Sequence, residues 1–262
     1  MIKFFRKIRQ RLLTENKPAL PAGRFSKYLL YAMGEIILVV IGILIALSIN
    51  NWNENMKQKT KVNNYLKSMV IDLKSDTNAY DRIISNFENQ IEANSLIFKD
   101  KSYQELPLDS IVSRITSYYA MHQIVDQTYQ KIKNSGLSDN LGSKELNDAI
   151  NNYYSNGVNS FNTYLQYDKE RSTRDDDLWF LTNNYEINLT HQATETIELP
   201  FSESEETRKK AIIQTIESNL GRNYLRHNIN RKRVGIIIAK QTKTEAEELI
   251  ELINKELKID TN

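Results

Sequence analysis

Between Tyr28 and Ile49 the chain reads YLLYAMGEIILVVIGILIALSI, and this run restricts the fold more than any other feature. As an α-helix it rises about 33 Å, enough for a bilayer hydrocarbon core of roughly 30 Å. Glu35 is its only charge. From Ile36 to Ile49, eleven of 14 residues are Ile, Leu or Val. A soluble helix keeps a polar face for solvent, and this segment has none. Two readings compete with a membrane span. A buried core helix would have to be covered on every side. A cleaved signal peptide, with Ala46-Leu47-Ser48 as a cleavage-like site, would have an unusually long basic region before it. The expectation is therefore a transmembrane helix over residues 28–50. Tyr28 and Tyr31 anchor one interface and Trp52 the other, as aromatic belts do.

Charge sets the orientation. Residues 1–27 carry eight basic residues against Glu15 alone, whereas only Lys57, Lys59 and Lys61 follow the span closely. Positive flanks stay inside. Residues 1–27 are thus expected as a cytoplasmic basic amphipathic tail of an inner-membrane protein, with the main domain periplasmic. In MIKFFRKIRQRLL, Ile2, Phe4, Phe5, Ile8, Leu12 and Leu13 gather mainly on one side of a helix. Lys3, Arg6, Lys7, Arg9 and Arg11 lie mostly opposite, which suits anionic lipid of the inner leaflet. Because the basic head leads straight into an apolar run, lipid rather than nucleic acid is the expected partner.

Within the span, Glu35, Val39, Gly42 and Ala46 lie within about 60° of one another on an ideal helix. Gly42 and Ala46 form a small-xxx-small pair that allows close backbone approach. A carboxylate at that depth must find a partner or water, or reach back to the headgroups. Self-association through this face, giving a homo-oligomer, is one expectation; snorkelling of Glu35 is the other.

Eight Gly and four Pro in 262 residues are too few for the many turns of a sandwich or barrel. The fold class expected is all-α: a single N-terminal transmembrane helix, a juxtamembrane collar over 51–61, and an extracytoplasmic antiparallel helical bundle over 62–262 with long first and last helices. Val62, Leu66, Met69, Leu73, Tyr80, Ile84, Phe87, Ile91 and Phe98 follow by threes, fours and sevens, a near-heptad coiled-coil seam interrupted by Asp76 and Asn94. Asp109 or Ser110 can cap a helix to about Gln123, and a short helix is expected over Gln127–Asn134. Ser143 can cap one running to about Asp168, and Asp175–Glu186 is ambiguous. After a break at Ile197–Pro200, Ser202 and Glu205 suggest a capping box for a helical region over 203–258, bending near Gln241–Lys243. Val234–Ala239 reads equally as a short strand.

The chemistry of the chain is sparse. There is no Cys, which excludes thiol nucleophiles and Cys-held metals. Gly-rich phosphate loops, HExxH, GxSxG and EF-hand patterns are absent. His122, His191 and His227 are isolated in sequence. Arg174-Asp175-Asp176-Asp177 resembles a weak Ca²⁺ cluster less than a solvated turn or helix start. Arg222, Arg226, Arg231, Lys232 and Arg233 form a basic stripe that either meets an acidic or lipid partner or pairs with acidic helices of the bundle. The tyrosine doublets 118–119 and 153–154 suit packing better than a cleft. No cofactor, metal or catalytic residue is expected. The reading is a non-enzymatic membrane protein whose outer domain binds a protein or envelope partner. A ligand-sensing ectodomain is the alternative, and an enzyme the least supported.

Two blocks, GEIILVVIGILIAL and NNWNE between Gly34 and Glu54, together with the head MIKFFRKIRQRLL, resemble the N-terminal signature of a bacterial family called domain of unknown function 6090, strongly over the first quarter of the chain and loosely over the rest. TYQKIKNSG and KELNDAINNYY, between Tyr129 and Tyr154, are a weaker likeness. The resemblance implies a single-pass inner-membrane protein of Gram-negative bacteria of the Bacteroidota type. It supplies no catalytic residues.

Overall fold

Helix α1 runs from Gly23 to Lys99, 77 residues without interruption. It belongs to a computed structural model that describes residues 23–138, 140–181, 184–187 and 200–259. Among these every regular element is helical. The basic residues Lys3, Arg6, Lys7, Arg9 and Arg11, together with His191 and Ile197, lie outside the described residues. The chain divides into two units, residues 1–60 and 61–262.

In the first unit, α1 is exposed at every position from Tyr31 to Thr60. It includes a stretch long and apolar enough to cross a membrane, none of it buried. The expected collar is helix rather than loop. Its asparagines are mediocre helix formers, but extending an existing helix avoids the costly nucleation step. A Lys57–Glu54 pair at 2.9 Å adds a small local contribution.

In the second unit α1 acquires an inner face. Val62, Leu66, Met69, Leu73, Tyr80, Ile84 and Phe87 are all buried, as their spacing predicts. After a 3₁₀ turn at Ser102–Glu105 come α2 (Leu108–Ile115), α3 (Gln127–Asn134), α4 (Lys144–Asn152) and α5 (Val158–Phe180), with a π-helical turn at Tyr153–Gly157 joining α4 to α5. Two further helices follow, α6 (Glu205–Glu217) and α7 (Asn219–Ile259). Ser143 caps α4 as expected, its Oγ accepting from the Leu146 amide at 3.3 Å.

The first and last long helices pair antiparallel. Lys243 reaches Asp81 at 2.7 Å, Lys240 reaches Glu88 at 3.7 Å, and Asn228 donates to Asn94 at 2.7 Å. Partner numbers on α7 fall as those on α1 rise.

Several expectations are corrected. α2 stops at Ile115, well short of Gln123, because Thr116 turns extended (φ −63°, ψ 134°) and the chain runs non-helical to Asp126. The helix begun at Ser143 passes through the π turn and beyond Asp168 to Phe180. Arg174–Asp177 therefore sits in the last turns of a helix rather than in a turn or helix start. Ser204, not Ser202, caps α6, its Oγ accepting from the Thr207 amide at 3.2 Å. The last helical region breaks at Ser218 (ψ 154°) rather than near Gln241, and Val234–Ala239 is helix. A side chain on Gly221 would collide with the Thr215 carbonyl, so glycine permits the tight α6–α7 joint.

The interior of this unit has two apolar cores. One gathers Leu66, Met69, Leu73, Tyr80, Tyr153, Phe161, Leu249 and Ile253 among others. The second gathers Ile97, Tyr103, Ile111, Trp179, Ile212 and Leu225. Between the residues of the two cores, each of three helices carries polar positions: Asn94 on α1, Asp168, Ser172 and Asp175 on α5, and Asn228, Arg231 and Lys232 on α7. All seven are buried.

Candidate functional site

The polar residues between the cores hold the extended segment 116–126. A non-helical stretch cannot satisfy its own amides and carbonyls, so buried ones need partners from elsewhere. Gln90 serves both sides of Tyr118, donating to its carbonyl at 2.8 Å and accepting from its amide at 3.0 Å. Asn94 donates to the Arg114 carbonyl at 2.6 Å. The Asp76 carboxylate accepts from the Val125 amide at 3.1 Å, and Asp72 from the Thr128 amide at 3.2 Å. Of the two residues that interrupt the α1 seam, Asp76 thus anchors this segment, and Asn94 holds the end of α2 just before it.

Beneath it lies a closed charge centre. Arg231 Nε donates to Asp168 at 2.8 Å. Its Nη2 donates to Asp175 at 2.8 Å, Asn228 at 2.7 Å, Ser117 at 3.0 Å and Ser172 at 3.1 Å. Lys232 Nζ donates to both Asp168 oxygens at 2.8 and 2.7 Å and to the Tyr118 carbonyl at 2.7 Å. It also lies 4.7 Å from the centre of the Phe87 ring. Two cations face two carboxylates, so the centre is neutral overall. Burial pushes Asp175 above the usual carboxylate range, against the pull of Arg231. Burial also lowers Lys232 to about 8, although Asp168 opposes the shift. Lys232 is fully buried and fully hydrogen-bonded. The arrangement can fix the extended segment to α5 and α7, and offers a reactant no open position.

Glycine at 235 brings Tyr164 into this layer. A Cβ there would collide with the hydroxyl end of Tyr164, which donates to the Arg231 carbonyl at 2.9 Å.

The basic stripe expected from sequence is divided. Arg231 and Lys232 are buried and cannot meet an outside partner, because consecutive helical positions point about 100° apart and these two face α5. They pair with acidic residues of the bundle instead. Arg226 and Arg233 are exposed, and Arg222 and Arg226 sit over the Phe98 ring at 4.7 and 5.0 Å. Asp168, Ser172, Ser117 and Asn228 do not stand out as site residues in the sequence, and Asp175, read there as part of a solvated turn or weak Ca²⁺ cluster, instead accepts from Arg231. The usable signal was Asp168, Ser172 and Asp175 at helical spacing, continuing the inward row of Phe161, Tyr164 and Leu165.

Tyr153 and Tyr154 are buried in the first core, with Tyr154 stacked on Tyr129 at 4.1 Å. Tyr118 is 56% exposed and Met121 84%. Two depressions of about 510 and 420 Å³ adjoin this segment, one lined by Tyr119, His122 and Lys169, the other by Asn86, Gln90 and Tyr118. A third, of about 310 Å³, opens between α5 and α7. His122 Nε2 lies 3.2 Å from Asp76. Among the described residues no three His, Asp or Glu side chains converge as a metal site would require. In the first unit Tyr28, Tyr31, Glu35, Val39, Gly42, Ala46 and Trp52 are all exposed.

The model of a family described as Family of unknown function (DUF6090) matches residues 35–186. The chain belongs to this family. Within the DUF6090 match lie the apolar stretch from Glu35 onward, the extended segment and α2 to α5. The likeness therefore reaches far beyond the first quarter of the chain, and the basic head MIKFFRKIRQRLL lies outside it. No curated protein and no solved structure matches this chain.

Proposed function

We propose that this DUF6090 protein is a single-pass inner-membrane anchor carrying a periplasmic, non-enzymatic interaction domain. The observation that carries the reading is the strongly apolar stretch from Tyr31 to Ile49, uncharged apart from Glu35 and exposed throughout. Leaving that area in water would cost about 25 cal/mol for each Å², so a bilayer is its natural solvent. The excess of basic residues before the span supports an inside N-terminus. The exposed Tyr118 and Met121, on a segment pinned from below, support a rigid contact surface for a protein partner.

A reporter enzyme fused after Asn262 tests the topology. It should be active only outside the cytoplasm, and protease added to spheroplasts should digest the outer domain. An intact domain after that treatment would refute the orientation. A photo-crosslinker at Met121 in native membranes tests the contact surface, and absence of any adduct would remove the partner claim. A ligand-sensing domain is the second reading, favoured by the basic depression between α5 and α7.

A further inference from the structure

The depression between α5 and α7 is lined by Arg171, Arg174 and Asp175 from α5, and by Leu220, Asn223, Tyr224 and His227 from α7. Three sources of positive potential meet there. Arg171 and Arg174 form no ion pair among the described residues, and Arg171 lies over the Tyr167 ring at 5.4 Å. The one acid in the lining, Asp175, is already taken by Arg231 at 2.8 Å. The first turn of α7, a helix of 41 residues, contributes Leu220 near the positive end of the helix dipole, where Ser218 already accepts from the Gly221 and Arg222 amides.

His227 completes a donor set. Arg231 Nη1 lies 3.3 Å from His227 Nδ1, and a guanidinium can only donate. Nδ1 is therefore the acceptor and Nε2 carries the proton. Nε2 lies 3.5 Å from the Tyr167 hydroxyl, too long for a strong bond, so its donor remains available. The imidazole is held below its ordinary pKa by burial and by the Arg231 and Arg171 charges, against the opposing pull of Asp175. It therefore sits in a net positive field.

We propose that this depression binds a small organic oxyanion, a carboxylate or phosphate carried on an apolar body. Arg171 and Arg174 take the anion, the His227 Nε2–H and the Asn223 amide donate to it, and Leu220 and Tyr224 flank the apolar part. The planar fork of arginine suits both anions. The site goes beyond the interaction-module reading and stands or falls without it.

The test uses the full chain in phosphatidylcholine nanodiscs, titrated with phenyl phosphate, citrate and inorganic phosphate against chloride of equal ionic strength. Thermal unfolding and the His227 imidazole resonances are followed. The charged and titratable groups facing that ring are Tyr167, Arg171 and Asp175 from α5 and Arg231 from α7. Saturable stabilisation is expected, with the His227 pKa rising on binding and phenyl phosphate binding more tightly than phosphate. Arg171→Gln with Arg174→Gln should weaken binding at least tenfold, while Arg82→Gln on the far surface of α1 should not. The same resonance shift in phosphatidylglycerol discs without added ligand would assign the oxyanion to a lipid headgroup. Equal responses to chloride and phenyl phosphate, or an unmoved His227 in the native chain, would overturn the proposal.

Discussion

Replacing Asp168 by alanine removes the one carboxylate shared by Arg231 and Lys232. In the native chain it accepts from Arg231 Nε at 2.8 Å and from Lys232 Nζ at 2.8 and 2.7 Å, with no exposure to water. Arg231 retains Asp175 and Asn228. Lys232 retains only the Tyr118 carbonyl and the face of Phe87. Breaking a buried pair by deleting one partner costs about 3–5 kcal/mol, because the survivor is left charged in a poor solvent. That is a large share of the roughly 5–15 kcal/mol holding an ordinary domain. For a unit of this size each kcal/mol shifts the midpoint by about 2–4 °C, so Asp168→Ala should lower Tm by about 6–20 °C at pH 7. The assay is thermal circular dichroism of the full chain in detergent. The double replacement Asp168→Leu with Lys232→Met should recover part of the loss, since an apolar pair needs no counter-charge. A midpoint for Asp168→Ala within about 2 °C of the native one would refute the reasoning, placing the variant in the range of ordinary surface pairs.

Stability should also follow pH in a defined way. Burial lowers Lys232 to about 8 in the folded chain, against about 10.4 for a free lysine. Between those values the unfolded chain binds more protons, so Tm should rise from pH 8 towards 10, and Lys232→Met should remove the rise. Above that range the sign reverses. Burial pushes Tyr103 up to about 12 and Tyr164 higher still, so the folded chain keeps protons the unfolded chain loses, and Tm should fall. Gly235→Ala should destabilise by about 1–3 kcal/mol through overpacking against Tyr164, the opposite of the gain alanine gives at an open helical glycine. Denaturant melts at fixed pH decide the sign. Finally, Glu35→Ala and Gly42→Leu should each lower self-association in a membrane two-hybrid assay relative to Leu38→Ala. Unchanged signals for both would make the Glu35–Ala46 face ordinary lipid-facing surface.

Local spacing carried a large part of the fold. The apolar run from Ile36 to Ile49 needs no tertiary context to identify a helix long and apolar enough to cross a membrane. The Val62–Phe87 seam names its own inner face, because side chains three and four apart share a side of a helix whatever packs against it. Ser143 was legible because a cap acts within one turn, and the bounds of Gln127–Asn134 agree with the sequence reading as well. The resemblance at Gly34–Glu54 pointed to the family that the match over residues 35–186 then established.

The polar layer could not be read this way. Asp76 and Asn94 look like faults in the seam until the Val125 amide and the Arg114 carbonyl lie against them. Arg231-Lys232-Arg233 reads as one basic run, yet only Arg233 is exposed, and which of three neighbours turns inward depends on where α5 packs. The early end of α2 follows the same logic, since the groups that hold Arg114 and Ser117 come from α1, α5 and α7. Arg231 meets Ser117 and Asp168 from 114 and 63 residues away. A buried donor or charge must be matched by whatever group the fold brings within about 3 Å, and that match is a property of three-dimensional proximity, not of sequence neighbours. The sequence by itself determined the membrane-length helix and the inner faces of the bundle. Only the tertiary structure decided which charges serve as core and which stay at the surface.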